Sequence, residues 1–282
     1  MRINHNINSM ITQNALNSAN DAMSSSLEKL STGLRINSAA DDAAGLAVSQ
    51  GLTAQVNGMD RSKMNAQDGV ALLQIADGAA NEIDNILQRQ RELAVQASSD
   101  TLTSTDRSYL DLEFKQLSAE TDRITASSQY NTMTLLSGTG FGGGSAGSVL
   151  HIGANAGAAD EIMVHISAIS TGALSMSTSG TGQVSVSTQA AATKAIKSID
   201  KAMDTVSSLR ANLGSYINRL NHTISNLSNQ EFNTQDAESR IADVDFATET
   251  TAFTKNQILV QSSTSMLSQA NQSPQSVLKL LG

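Results

Sequence analysis

The chain has 282 residues, 39% of them apolar, with 3% aromatics, no Trp, one proline (Pro274), no Cys and a formal charge of −8. The apolar share falls below the roughly 45–50% usual for globular domains, and so few aromatics leave little material for a compact enzyme core. The missing cysteines exclude disulfide frameworks and thiolate metal sites, and the acidic balance with no basic stripe argues against nucleic acid as the principal ligand. No apolar run reaches the roughly 20 residues of a membrane span, and no apolar segment follows Arg2, so neither membrane insertion nor a cleavable secretory signal is expected.

In chain order, Met23, Leu27, Leu30 and Leu34 fall on one helical face, and the helix is expected to stop between Gly33 and Ile36. Ser38-Ala39-Ala40-Asp41 has the form of a capping box opening the next helix. Leu52, Val56, Met59, Lys63, Ala66, Val70 and Leu73 then alternate in steps of four and three. The stripe slips by one residue to Leu72, Ala76, Ala79, Ile83, Ile86, Gln90, Leu93 and Ala97, which predicts one long helix over 43–99 with a drifting seam. Thr103 to Asp106 supply start signals for a helix over 104–128.

Glycine dominates 138–147, so the chain turns there. Leu150 and Ile152, then Ile162, Val164 and Ile166, alternate as the two arms of a β-hairpin, while 170–187 reads as either strand or loop. Ile196, Ile199, Met203, Val206, Arg210, Leu213, Ile217, Leu220, Ile224 and Leu227 alternate three and four without a break, a coiled-coil seam. A last helix is predicted from about Glu238, with Ala252, Leu259 and Met266 seven apart and Val277, Leu278, Leu280 and Leu281 making an apolar end. The fold class expected is mainly α: long antiparallel helices in a coiled-coil bundle, a small β-hairpin region, and paired N- and C-terminal helices. The first ~100 and last ~90 residues carry stripes that need burial, because amphipathic helices take most of their stability from packing.

Little of the chemistry survives inspection. Gly143-Gly144-Ser145-Ala146-Gly147 spells a nucleophile elbow, and Gly138, Gly140 and Gly143 a dinucleotide fingerprint, but neither has the strand-and-helix flanks its chemistry needs. His5, His151, His165 and His222 are scattered, and Asp243, Asp245 and Glu249 read as a helix start. No catalytic residue, cofactor or metal is expected.

Both ends resemble bacterial flagellin. The run Ser31-Thr32-Gly33-Leu34-Arg35-Ile36-Asn37-Ser38-Ala39-Ala40-Asp41-Asp42-Ala43-Ala44-Gly45-Leu46 is similar to that family's amino-terminal signature. Ser239-Arg240-Ile241, Gln257-Ile258-Leu259, Ala270-Asn271-Gln272, Pro274-Gln275 and Val277-Leu278 are similar to its carboxyl-terminal one, and Gln129-Tyr130-Asn131 and Ile152-Gly153-Ala154-Asn155 also look like the family.

The resemblance implies an inner coiled-coil domain of 1–42 with 238–282 and a helical-bundle domain of 43–137 with 188–237. Residues 138–187 form a hairpin and loop region of the bundle domain, without large outer domains. It implies a subunit polymerising with itself into the filament that drives swimming, with Leu27, Leu30, Leu34, Ile199, Val206, Leu213, Leu220, Leu259, Met266 and Leu278 on assembly or coiled-coil seams. Implied partners are the hook–filament junction and cap proteins, an export chaperone and the type III export gate. Arg89, Leu93 and Glu113 match a stretch gripped by a Toll-like receptor for flagellin. The location implied is the extracellular filament, or the periplasm in a spirochaete. The alternative within the flagellum is a hook–filament junction adaptor.

Overall fold

The computed structural model describes residues 6–143, 147–176 and 184–281, with the side chains of 273–281 left aside. Ser145 of the elbow-like motif and the apolar side chains of Val277, Leu278, Leu280 and Leu281 therefore lie outside the described residues. The helices are α1 (Ile7–Thr32), α2 (Ala43–Ala97), α3 (Ser104–Ser127), α4 (Gln189–Ala242) and α5 (Phe246–Leu281). Four short strands pair as two antiparallel hairpins, β1 (Gln129–Tyr130) with β2 (Met133–Thr134), and β3 (Ser148–His151) with β4 (Glu161–Val164). The chain divides into two units, one built from Met1–Gln55 and Phe232–Gly282, the other from Val56–Glu231.

Helix ends follow their local chemistry. Gly33 ends α1 in the left-handed region (φ 74°), where its N–H reaches the Lys29 carbonyl at 2.9 Å. The expected box at Ser38–Asp41 forms differently. The Asp41 carboxylate accepts from the Asn37 and Ser38 N–H groups and the Ser38 hydroxyl, closing a turn ahead of the helix. Asp42 caps α2 instead, accepting from Ala44 and Gly45 N–H at 3.1 and 2.9 Å. Thr103 and Asp106 cap α3 reciprocally, each side chain holding the other's backbone N–H. The helix expected to begin near Glu238 does not begin there: α4 continues through it to Ala242, and the break falls at Asp243–Asp245.

The acid members of these caps carry a pH dependence. Hydrogen bonds from Ser38 to Asp41, from Thr103 to Asp106 and from Thr248 to Asp245 each hold the carboxyl below its ordinary range. A folded value below the unfolded one stabilises fully above the ordinary carboxylate pKa of about 4 and is lost as pH falls through the lowered value. Asp106→Asn is expected to flatten the acid limb of helix melting below pH ~4 relative to the parent, read by circular dichroism.

The second unit holds the main core. Its α2 seam runs Met59, Ser62, Ala66, Gly69, Leu73, Ala76, Ala80, Ile83, Leu87, Gln90, Ala94 and Ala97, all buried and spaced three and four throughout. Leu72 and Leu93, from the slipped stripe, are buried beside this row, so residues of both registers face the core. Ser62, Gly69 and Ala80 are buried small residues outside either expected stripe.

On α4, Ile199, Val206, Leu213 and Leu220 are fully buried as expected, with Leu227 nearly so. The positions between them shift by one: Ala195, Ala202 and Leu209 are buried, while Ile196, Met203 and Arg210 are only half-buried. Small residues take two of these inner positions, and larger ones flank them. Arg210 reaches Asp77 at 3.1 Å.

α3 contributes a polar seam of Asp111, Phe114, Ser118, Thr121 and Thr125. The Ser118, Thr121 and Thr125 hydroxyls donate back to carbonyls one turn earlier. Gln90 of α2 donates to the Phe114 carbonyl and Ser118 hydroxyl, tying α2 to α3. Asp122 accepts from the Thr171 N–H and hydroxyl, and Asp111 accepts from the Val186 N–H while pairing with Lys115 at 2.7 Å. These two carboxylates hold Thr171 and Val186, and among the described residues around them Ile166, Ile169, Leu174, Met176, Val184 and Val186 are all buried.

The hairpin β3–β4 pairs Leu150 with Ile162 and Ser148 with Val164. It lies against α2, where Ser62 donates to the Gly153 carbonyl at 2.7 Å and a Cβ on Gly58 would sit 3.0 Å from the Ala154 Cβ. Beside β2, a Cβ on Gly140 would overlap the Thr134 carbonyl oxygen, which also accepts the Phe141 N–H at 3.0 Å. Gly140→Ala is expected to cost about 1–3 kcal/mol by overpacking a backbone that cannot yield, measured by urea unfolding.

Candidate assembly surface

α1 and α5 run antiparallel in the first unit, and their contact alternates apolar side chains with small polar ones. The inward face of α1 presents Ser9, Thr12, Leu16, Ala19, Met23, Ser26 and Leu30, a strict three-and-four repeat. The less exposed face of α5 presents Phe253, Asn256, Val260, Ser263, Leu267 and Ala270. Polar ties fix the register at one end. Asn6 caps α1 by accepting from Ser9 N–H and donates to the Ala270 carbonyl at 2.9 Å, and Ser9 donates to Asn271 at 2.8 Å.

The other end is a backbone clasp. The Val244 N–H donates to the Gly33 carbonyl (3.0 Å) and the Arg35 N–H to the Ala242 carbonyl (2.6 Å), bridging Leu34 to Asp243 as a single antiparallel pair. The Arg35 guanidinium forks onto the Ile241 carbonyl at 2.6 and 3.2 Å, and Ile36 and Ala242 are buried beside it. Asp245 then caps α5 by accepting from Ala247 and Thr248. The acidic group of Asp243, Asp245 and Glu249 is thus a chain break and a helix start, and among the described residues no cluster of His, Asp or Glu has the form of a metal site.

A second set of large apolar side chains faces outward. Ile7, Met10, Ile11 and Leu27 on α1, and Phe246, Ile258, Leu259 and Met266 on α5, are all more than two-fifths exposed. Ile11 lies between two shallow grooves, one lined by Met10, Asn14 and Asn17, the other by Thr12, Met266 and Ala270. Of the terminal positions singled out from the sequence, Leu30 is half-buried, while Leu27, Leu34, Leu259 and Met266 are exposed. The seam between α1 and α5 passes one residue away, through Ser26, Val260 and Leu267. Leu278 lies outside the described residues. The α1–α5 contact thus leaves a second set of apolar residues uncovered, and a cluster of exposed apolar side chains such as Ile11 with Met266 marks an interaction site.

In the second unit, Arg89 and Glu113 do meet. The Arg89 guanidinium donates to Glu113 at 2.9 and 3.0 Å and to Glu92 at 2.9 Å, on the exposed edge of α2 and α3. The bonds to Glu113, then Glu92, raise the arginine's pKa. Leu93 is 1% exposed and belongs to the core beneath that pair, so it offers the outside no surface.

Comparison with known proteins follows this architecture. Residues 3–140 match the bacterial flagellin N-terminal helical region and residues 196–281 the bacterial flagellin C-terminal helical region. The chain is 44% identical over 285 residues to the flagellin of Halalkalibacterium halodurans, 43% over 305 residues to that of Bacillus subtilis, and 42% over 287 residues to flagellin FlaB2 of Treponema pallidum. Each alignment covers the whole of both chains. With both terminal helical regions matched and whole-length relatives above two-fifths identity, this chain belongs to the bacterial flagellins.

Proposed function

We propose that this flagellin, a structural subunit of the flagellar filament, joins copies of itself through the outward apolar face of α1 and α5. One observation carries the reading. Ile7, Met10, Ile11, Leu27, Ile258, Leu259 and Met266 are exposed on two helices whose mutual seam already uses Leu16, Met23, Leu30, Phe253, Val260 and Leu267 among Ser, Thr, Asn and Ala. Burying such side chains is worth ~1.5–3 kcal/mol each, and the α1–α5 contact leaves them uncovered. A subunit that meets its neighbour with a different patch from the one it presents makes heterologous contacts that do not close, and these generate an open helical polymer. The role is mechanical, with no catalysed step.

On this reading 1–42 with 238–282 forms the inner coiled coil of the filament, and 43–237, including the hairpin region 138–187, forms the layer outside it. Before assembly the apolar face needs cover, which fits an export chaperone gripping α5 and delivery through the type III gate. Hook–filament junction and cap proteins are the partners at the two filament ends. A Toll-like receptor contact would use the surface pair Arg89 and Glu113, with Leu93 holding their helices from beneath. Electron microscopy of purified protein after seeding tests the central claim. Long uniform tubes are expected, and persistent small oligomers with native seeds would return the chain to the junction-adaptor role.

A further inference from the structure

The chain has no cysteine and ten methionines, so thioethers are its only sulfur open to oxidants. Their burial differs sharply. Met59 and Met176 are in the core at 4% and 1% exposure, whereas Met10 (63%), Met64 (46%), Met133 (40%), Met163 (61%) and Met266 (56%) stand in solvent. Only Met10 and Met266 of these five belong to the first unit, and they line the two grooves on either side of Ile11. Both are thus reachable by a small oxidant in the free subunit, and both sit on the apolar face assigned above to self-association.

We propose that Met10 and Met266 are an oxidant-sensitive modification site that gates assembly, an inference that rests on the α1–α5 face being the one buried between copies. A peroxide transfers one oxygen to each sulfur. The O–O bond breaks, an S–O bond forms, the thioether loses two electrons to become a sulfoxide, and the peroxide leaves as water. The product is a polar acceptor where an apolar side chain has to be buried. Burying a polar group without a partner is costly, so each modified subunit adds poorly to a growing end. The same residues in an assembled filament are covered and react slowly, so the site reads oxidant before assembly rather than after.

The test uses the whole chain. Monomer is treated with hydrogen peroxide, the excess is removed with catalase, sulfoxide is mapped by peptide mass spectrometry, and seeded growth is followed by light scattering. In the parent, the critical concentration is expected to rise tenfold or more as Met10 and Met266 are oxidised. Met10→Leu/Met266→Leu, oxidised equally at Met64, Met133 and Met163, is expected to keep the critical concentration of its own untreated sample, whatever that value is. Filaments exposed to peroxide should oxidise at Met10 and Met266 at least tenfold more slowly than monomer. Unchanged growth of the doubly oxidised parent, or equal loss in the leucine variant, overturns the proposal. Failure of untreated parent to grow on native seeds would instead overturn the assignment of the face, and the two failures are read from different samples.

Discussion

Leu213→Asp is expected to leave the second unit unfolded. Leu213 is fully buried on α4, in line with Val206 and Leu220. Truncating such a leucine costs ~2–5 kcal/mol through lost transfer energy and the cavity left behind. The aspartate adds the desolvation of a charge at a fully buried position, where Arg210, one turn earlier, already pairs with Asp77. The sum rivals the ~5–15 kcal/mol by which a typical domain is stable. Circular dichroism at neutral pH should show loss of cooperative melting, while Leu213→Ala should melt cooperatively at reduced urea concentration. A cooperative, near-parental transition in Leu213→Asp would mean that α4 is not packed as described.

Leu259→Glu is expected to do the reverse, sparing the fold and abolishing growth. Leu259 is 42% exposed on α5, one residue from the inward Val260, so a carboxylate there remains in water in the free subunit. On assembly it would have to be desolvated, and the critical concentration should rise a hundredfold or more, about 3 kcal/mol at 1.4 kcal/mol per decade. Leu259→Met should grow normally. If Leu259→Glu melts like the parent yet polymerises at the parent's critical concentration, the outward face of α5 is not an assembly surface.

Much of this architecture is written in the local chemistry of the chain. Gly33 at the end of an apolar stripe marks the stop of α1, and Thr103 with Asp106 marks the start of α3, because a helix end needs those groups whatever surrounds it. The alternation of Leu150 with Ile152, and of Ile162 with Val164 and Ile166, reads as two hairpin arms, and Leu150 pairs with Ile162. What a hydrophobicity pattern misses is an inner position held by a small residue, as Ala195 and Ala202 are buried while Ile196 and Met203 are only half-buried. Gly69 faces inward because the Leu150 and Leu220 side chains occupy the space beside it.

The same bias moved the expected terminal seam onto Leu27, Leu259 and Met266, one residue from the actual contact. Those residues were legible as apolar and in need of burial, but the sequence alone does not say against what. The β1–β2 hairpin escaped because its arms are two residues each. Its turn rests on Asn131 and Thr132 at φ 46° and 64°, and threonine gives no signal for the left-handed region. Residues 170–187 read as either strand or loop because their Ser, Thr and Gly content sets no period. What holds Thr171 and Val186 is Asp122 and Asp111, acceptors on another element.

The clasp between Gly33–Arg35 and Ala242–Val244 sets an order of events. Arg35 and Ile241 are 206 positions apart, and Asn6 and Ala270 are 264 apart. A chain that appears from its amino end has nothing for α1 to pair with until almost its last residue has emerged. Closing so long a loop repays its entropy only when the final contacts form. The first helix of this protein to be made is therefore among the last to be fixed, and a chain threaded through a narrow passage amino end first would stay unlocked at that end for nearly the whole transit.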